Sequence, residues 1–446
     1  MSFPISEASP VRFAATLPGR ADVVVIGGGV IGVMTAWHLA ESGLSVVLCE
    51  KGRIAGEQSS RNWGWVRQQG RDPGELPIMV ESLAIWKRLA AEMGDALGFR
   101  QTGVLYMAKT EAEIAGFEAW SEHARAHQLD TRLLTAAETM AMLKGAVAPW
   151  QGGLFTASDA RAEPWVAVPA LAARAAEMGV TIREACAVRG LDFVAGRVAG
   201  VVTEAGRIVC DHVVVAAGAW SRLLLDRHGV HIPQLSVLAS VAATEPMPEI
   251  FAGNAADDDF AFRRRADGGY SIAPGGEHDF FIGRGAFASL KYYLTILKKD
   301  FRSTTFRLAA PKGFPDAWGT PRRWALDAES PFERQRILNP APNMATLSQV
   351  QDSFAKAFPA LGRPKLKTAW AGMIDSLPDV VPVVDHAPIP GLTIATGMSG
   401  HGFGIGPGMG RVVSDLVMGR PTGHDLSRFR WSRFSDGSRI EPGPSL

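Results

Sequence analysis

The sequence predicts an α/β protein, with a parallel sheet built early in the chain and a second unit built around another sheet. Three observations predict it. A short apolar strand, a glycine-rich turn, a helical stretch and a second apolar strand follow one another between residues 21 and 50, which is the order of a βαβ unit. Short apolar strands recur between 180 and 217. From 227 to 366 the character changes, with strand patterns at 236–244 and 269–272, a long helical segment at 286–301, and then a run rich in Pro, Arg and Trp. The 446 residues suffice for two or three domains of roughly 150 residues each.

Each element has its own signal. Residues 21–26 are a short apolar run of β-type residues, broken by Gly27-Gly28-Gly29-Val30-Ile31-Gly32, after which a helical pattern continues to Ala40. Residues 45–49 form a second apolar run that ends at Glu50. In 75–91, Leu83, Trp86, Leu89 and Ala90 fall on one side at helical spacing. Residues 100–107 predict a strand, 111–127 a polar-faced helix, and 165–178 a helix closed by Gly179. Strands are predicted at 180–188, 198–203, 207–210 and 212–217, with the turn Glu204-Ala205-Gly206 joining two of them. The last part has an apolar strand at 392–396 and a glycine-rich lead into a helix near 412–418. The tail 427–434 alternates basic and aromatic residues and predicts a packed strand or tail.

Composition narrows the function classes. Net charge is +1, which argues against a nucleic-acid coat or a membrane-surface protein, since both need a strong basic excess. No apolar run reaches the roughly 18 residues of a membrane span, and residues 1–20 lack the apolar core of a signal peptide. Three cysteines (Cys49, Cys186, Cys210) make no disulfide framework and fit a reducing compartment, so a cytoplasmic location is expected. No His/Cys cluster has metal-ligand spacing, and no metal is expected. Residues 261–340 hold fourteen Lys and Arg against eight Asp and Glu, either a solvated face or a field that attracts an anionic substrate.

The glycine motif has its full context: a strand before it, a helix after it, and Glu50 at the end of the next strand. Gly27 allows the tight turn, Gly29 lets backbone N–H groups approach a pyrophosphate at the positive end of the helix, and Gly32 lets helix and strand pack closely. Glu50 accepts hydrogen bonds from a ribose and repels a 2′-phosphate, so FAD or NAD is favoured over NADP. After Glu50 the chain does not continue with the further βαβ units expected of an NAD-binding domain. It enters a polar loop that offers hydroxyls, an amide and a guanidinium.

Four motifs, Gly27 to Gly32 with Glu50, Ser59-Ser60-Arg61-Asn62-Trp63-Gly64, Ala216-Ala217-Gly218-Ala219-Trp220-Ser221, and Gly397-Met398-Ser399-Gly400-His401-Gly402-Phe403-Gly404, resemble the D-amino-acid-oxidase-type flavoproteins, which include glycine, sarcosine and D-arginine oxidases and dehydrogenases. The resemblance covers nearly the whole chain. It implies a Rossmann-like FAD-binding domain (1–95, 150–226 and 367–446) interleaved with a sheet-based α+β substrate domain (96–149 and 227–366). It further implies FAD around Gly27, Gly29, Val30, Ile31 and Gly32, with Glu50 and Lys51 at the adenosine ribose. Ser59, Ser60, Arg61, Asn62 and Trp63 would lie along the phosphates toward the flavin. Val188 would meet the adenine, and Ala217, Gly218 and Trp220 would cross the cofactor. Residues Gly400, His401, Gly402, Phe403 and Gly404 precede a C-terminal helix whose N-terminal partial charge would favour a reduced flavin. No Cys follows Cys210, so the FAD is expected to be non-covalent.

The resemblance implies oxidation of the C–N bond of a small amino acid or secondary amine to an imine that hydrolyses. The segment Trp370-Ala371-Gly372-Met373-Ile374-Asp375 has Ile374 where such oxidases often carry the carboxylate-binding Arg. Arg67, Arg263, Arg264, Arg265 and Tyr270 are the alternative candidates for a carboxylate-bearing amine such as an N-substituted glycine or an iminodiacetate-like amine; Asp375 is the candidate for gripping a cationic one, and His401 for a hydrogen bond to the flavin. Sarcosine-oxidase-type relatives place a Lys against the flavin, and the matching strand Gly269-Tyr270-Ser271-Ile272 offers none, so O2 and another electron acceptor both stay open. Two rivals remain: a flavin-bearing subunit of a heteromeric amine dehydrogenase, and an NAD-linked dehydrogenase.

Overall fold

The computed structural model describes residues 4–300 and 303–443, with backbone only for 295–300. Arg20–Ile26 lies at the centre of a parallel sheet, between Val46–Cys49 on one side and the second half of Gly206–Val215 on the other. Thr181–Arg183 extends one edge, while Leu392–Thr396 and then Val383–His386 extend the other. The central strands are continuously apolar because both faces are covered: Val23, Val25 and Leu48 pack into the core beneath the helices, while Val24, Val47 and Val213 pack into the core on the other face.

A second, mostly antiparallel sheet is organised around Leu235–Thr244, which pairs with Leu366–Ser376 along its whole length. From Leu235–Thr244 the sheet runs one way through Tyr270–Ala273, Ala261–Arg264, Asn254–Ala256, Val104–Ala108, Gly152–Thr156 and Thr131–Thr135. In the other direction it runs through His278–Phe281 to Thr304–Arg307. Two strands on the nucleotide side of the expected boundaries, Gly152–Thr156 and Leu366–Ser376, therefore pair in this second sheet.

Some elements differ from the sequence reading, for local reasons. The run 180–188 is two strands. Thr181–Arg183 pairs with Val46–Cys49, and then Glu184 turns out of the sheet to accept the N–H groups of Ile54 (2.7 Å) and Arg12 (2.6 Å) before a new strand, Val188–Val194, begins. The run 100–107 splits at Gly103 (φ +79°) into Arg100–Gln101, which pairs with Ala160–Arg161, and Val104–Ala108 in the second sheet. The expected break at Asp211 is absent, because Gly206–Val215 passes without interruption from the hairpin partner Arg197–Thr203 to Arg20–Ile26. The tail folds as two short 3₁₀ turns anchored by Phe429 and by Arg433, whose guanidinium pairs with Asp379 at 2.7 Å. The predicted helix end at Phe301 lies outside the described residues.

Two helices decide where the site forms. Val30–Glu41 and Gly402–Val417 pack side by side. They approach closely because Gly406 and Gly410 face Val30 and Met34, where a Cβ would come within 2.5 Å of each. Both helices start at the same cavity. No helix of the described residues is long and apolar enough to cross a membrane.

Candidate functional site

The cavity has a volume of about 1100 Å³, more than the roughly 300–1,000 Å³ of ordinary small-molecule pockets. One end is formed where Arg20–Ile26 stops. Gly27 takes φ +112° and donates its N–H to the Cys49 carbonyl at 2.9 Å. A Cβ on Gly32 would lie 2.0 Å from the Gly27 carbonyl oxygen, so helix and turn touch backbone to backbone. Gly29 precedes the helix without a side-chain cap. Ser59 Oγ accepts the Val30 N–H at 2.9 Å, and the remaining first-turn N–H groups have no acceptor within the helix. That is a donor set suited to a pyrophosphate.

Glu50 sits beside this turn with both carboxylate oxygens engaged, accepting the N–H of Gly28 at 2.7 Å and of Gly52 at 2.6 Å. Burial pushes its carboxyl up to about 7, against the opposing pull of Lys51 and the two N–H groups. Cys186 and Val188 complete this end. The wall then runs past Ala217, Gly218 and Trp220 to Asn62 and Trp63. Lys51 lies 4.4 Å over the Trp220 ring and donates to Glu57 (2.9 Å) and to the carbonyls of Gln335 and Arg336, while Trp220 Nε1 donates to Glu57 at 3.1 Å. The glycine turn, the unsatisfied helix start and the acidic residue beyond the second strand fit a dinucleotide.

The far end is the start of Gly402–Val417, where Gly400, His401, Gly402, Phe403 and Gly404 all line the cavity. His401 caps the helix without a side-chain bond. Pro407 lies inside this helix, and the helix Leu76–Met93 braces its first turn. Ser82 Oγ and Trp86 Nε1 both donate to the Gly404 carbonyl, and Ser82 Oγ accepts the Gly408 N–H.

Several expected site residues lie elsewhere. Gly32 and Ser60 do not line the cavity; Gly32 is packed on the turn, and the Ser60 hydroxyl turns back to the Glu57 carbonyl. Arg61 lines the cavity but spends its guanidinium on structure, bonding the carbonyls of Gly56, Ala371 and Ile5 and Oδ1 of Asn339. Burial lowers its pKa to about 10. The Asn62 amide is consumed within its own turn by Gln58, Ser59 and Gly64.

Of the four candidate arginines, only Arg67 lines the cavity. Arg263 is fully buried and forms a two-pronged pair with Glu163 at 2.9 and 3.0 Å. Arg265 is held by Asp267 and by the carbonyls of Tyr270 and Thr244, and Arg264 donates to the Met247 carbonyl above the Tyr270 ring. Tyr270 is a core residue, its hydroxyl shared among the backbones of Ile250 and Phe251. These four serve the second sheet because the strand Ala261–Arg264 runs through its interior, where a guanidinium must find a partner. Asp375 lines the cavity, but its Oδ2 takes the Gly397 N–H at 2.7 Å together with Thr396 and Gln234. These contacts tie it to the loop after Leu392–Thr396, and burial raises its pKa to about 6.

The structure also brings in residues the sequence reading did not select. Trp65, Arg71 and Tyr106 line the cavity, and Glu75 stands behind it. The spacing of Arg67, Arg71 and Glu75, each four apart, is a signal that could have found two of them. Arg67 lies 5.8 Å over the Tyr106 ring. It is carried by a loop that Asp159 holds through the N–H groups of Gln68 (2.7 Å) and Gln69 (3.2 Å).

Comparison with known proteins gives the same picture. Residues 22–416 match the DAO family, described as FAD dependent oxidoreductase. The chain is 24% identical to the sarcosine oxidase subunit beta of Rhizobium meliloti (strain 1021), over 94% of this chain and 90% of that one. It is 25% identical to the mitochondrial sarcosine dehydrogenase of Homo sapiens over 93% of its own length but spans only 42% of that longer protein. Among solved structures it resembles L-amino acid deaminase from Proteus myxofaciens, in complex with anthranilate, with a TM-score of 0.91, 30% identity, and coverage of 96% of this chain and 97% of that one.

Proposed function

The chain belongs to the DAO family of FAD-dependent oxidoreductases, and on that premise we propose that it oxidises the C–N bond of a carboxylate-bearing amine whose carboxylate is held by Arg67. One observation carries the reading. Arg53, Arg61, Arg67 and Arg71 are the guanidinium groups lining the cavity among the described residues. In Arg53, Arg61 and Arg71 every nitrogen already donates to a protein acceptor. Arg67 donates only through Nη1, to the Gln69 carbonyl. Its Nε and Nη2 are left as a fork, the geometry that receives a carboxylate with two parallel hydrogen bonds.

When bound, FAD supplies the acceptor for the hydride lost from the carbon beside nitrogen. The protein's share is binding and orientation. Arg67 fixes the carboxylate end. Trp63 and Trp65, with ring centroids 5.3 Å apart, and Tyr106 form an aromatic wall beside it that shields the reacting end from water. The amine reacts in its neutral form, so that its lone pair assists as the neighbouring C–H bond breaks, and the imine hydrolyses after release. An L-amino acid deaminase is one structural relative over nearly the full length and a sarcosine oxidase subunit a sequence relative, so α-amino acids and N-substituted glycines are the substrate classes to try. The NAD-linked alternative has no support from the family.

The test is anaerobic bleaching of the flavin by a panel of α-amino acids, N-substituted glycines, and the same amines without a carboxylate. Bleaching confined to the carboxylate-bearing compounds is expected. Equal bleaching by the descarboxy amines overturns the reading. The likeness to a sarcosine oxidase subunit beta favours one second reading, a flavin-bearing subunit. A yellow chain that no amine bleaches when purified alone would support it.

A further inference from the structure

Behind the helix start at His401 lies a buried ion cluster that the binding of substrate and dinucleotide does not use. Glu75 is 1% exposed and Arg71 is 2% exposed. Arg71 Nη1 donates to Glu75 Oε2 at 3.2 Å, Nη2 to the His401 carbonyl at 2.9 Å, and Nε to the Arg67 carbonyl at 3.2 Å. Glu75 Oε2 also faces His401 Nδ1 at 3.5 Å as a charge contact, and neither Nδ1 nor Glu75 Oε1 has a hydrogen-bond partner. The carboxylate is thus shared by a guanidinium and an imidazole, and the imidazole itself lines the cavity.

We infer that Glu75 is a positioning residue: its buried carboxylate, facing Nδ1 as a charge partner, fixes the orientation and tautomer of His401, so that Nε2 is presented to the flavin end of the cavity. The inference rests on the reading that Gly402–Val417 starts against the flavin. A carboxylate behind a histidine sets which ring nitrogen carries the proton and which faces the ligand. It also offsets the cost of charge on a ring taken out of water. Burial pulls the His401 pKa below its ordinary range, and Glu75 is the first group working against that pull. Arg71 ties the same unit together from the other side, donating to both the His401 carbonyl and Glu75. His401 therefore acts on the flavin in addition to the helix start, and Glu75 acts through His401.

The test is a double-mutant cycle on the FAD-loaded protein, with Glu75→Gln, His401→Asn and both together, read as sulfite affinity of the oxidised flavin and as its midpoint potential. Glu75→Gln is expected to weaken sulfite binding about tenfold, which for a two-electron couple corresponds to about 30 mV. In the His401→Asn background the same change should alter it less than about twofold. An unchanged affinity, a tightening, or an equal loss in both backgrounds overturns the role of Glu75. If His401→Asn alone leaves the potential unmoved, the placement of the helix against the flavin fails instead. Should Glu75→Gln not retain FAD, Glu75→Asp carries the same cycle, since it keeps a charge for Arg71 while drawing the carboxylate back from Nδ1; there too a loss of equal size in both backgrounds overturns the role.

Discussion

Replacing Arg67 by alanine should abolish the preference for carboxylate-bearing amines while leaving FAD in place. The side chain makes one backbone bond, to Gln69, and stacks over Tyr106. Asp159, not Arg67, holds the N–H groups of Gln68 and Gln69, so the loop survives the change. What is lost is a charge-assisted fork on a half-buried guanidinium in the cavity wall. Such a contact is worth about 2–5 kcal/mol, or roughly 30- to several-thousand-fold in kcat/KM. Arg67→Lys keeps the charge without the fork and should recover only part of the loss. The assay is kcat/KM by dye reduction on one matched pair, an α-amino acid and the amine that lacks its carboxylate. Wild type should favour the acid strongly, and Arg67→Ala should bring the two within a few fold of each other. If Arg67→Ala loses activity equally on both members, the residue is structural. If it loses none, the carboxylate is read elsewhere or the substrate has none.

Other predictions follow from specific distances. Gly32→Val should yield protein without bound flavin, since its first side-chain carbon would overlap the Gly27 carbonyl, 2.0 Å away; the flavin-to-protein absorbance ratio after purification checks this. Acid precipitation should release all the FAD into the supernatant, because Cys49 and Cys186 line the cavity at its nucleotide end, Cys210 does not line it, and none belongs to the Gly400 to Gly404 segment; flavin retained in the pellet would contradict it. Arg263→Ala should destabilise the fold by about 3 kcal/mol, because it strips the buried Glu163 of its two-pronged partner and leaves only Arg161 at 3.6 Å and the Ala266 N–H, and chemical denaturation at neutral pH reads this. For Glu163, burial raises the carboxyl but Arg263 and the Ala266 N–H outweigh it and hold it below its ordinary value. Its stabilisation is therefore complete above the unfolded pKa of about 4.3 and is lost as pH falls through the lower folded value. The gap between wild type and Glu163→Gln should accordingly shrink in acid. Among the described residues the only lysine lining the cavity is Lys51, tied to Glu57 at the nucleotide end; turnover in air should give far less than one peroxide per amine, with dye reduction intact, and stoichiometric peroxide would refute that.

The nucleotide end of the site was legible in the sequence because its determinants are local. Gly27, Gly29, Gly32 and Glu50 lie within a single βαβ unit, and the turn, the helix start and the second strand are each specified by neighbouring residues. The glycine run at His401 was legible as an entry to a helix, but the helix was expected near 412–418 and begins already at Gly402, taking glycines into its own first turns, where Gly406 and Gly410 pack against Val30–Glu41. The substrate end was not legible. Arg263, Arg264 and Arg265 carry the same charge as Arg67 in the sequence, and nothing local separates an arginine that binds substrate from one that balances a buried carboxylate. That separation depends on Glu163, which lies a hundred residues from Arg263 in the chain yet within 3.0 Å in space. The surroundings of Asp375 were hidden for a similar reason, since its hydrogen-bond partners come from Gly397, Thr396 and Gln234. By itself the sequence determined the α/β class, the dinucleotide cradle and the start of its helix, all of which short-range backbone geometry dictates. Only the tertiary structure decided which charged side chains keep free donors in the cavity, because a buried ion finds its partner through long-range packing that the order of residues does not display.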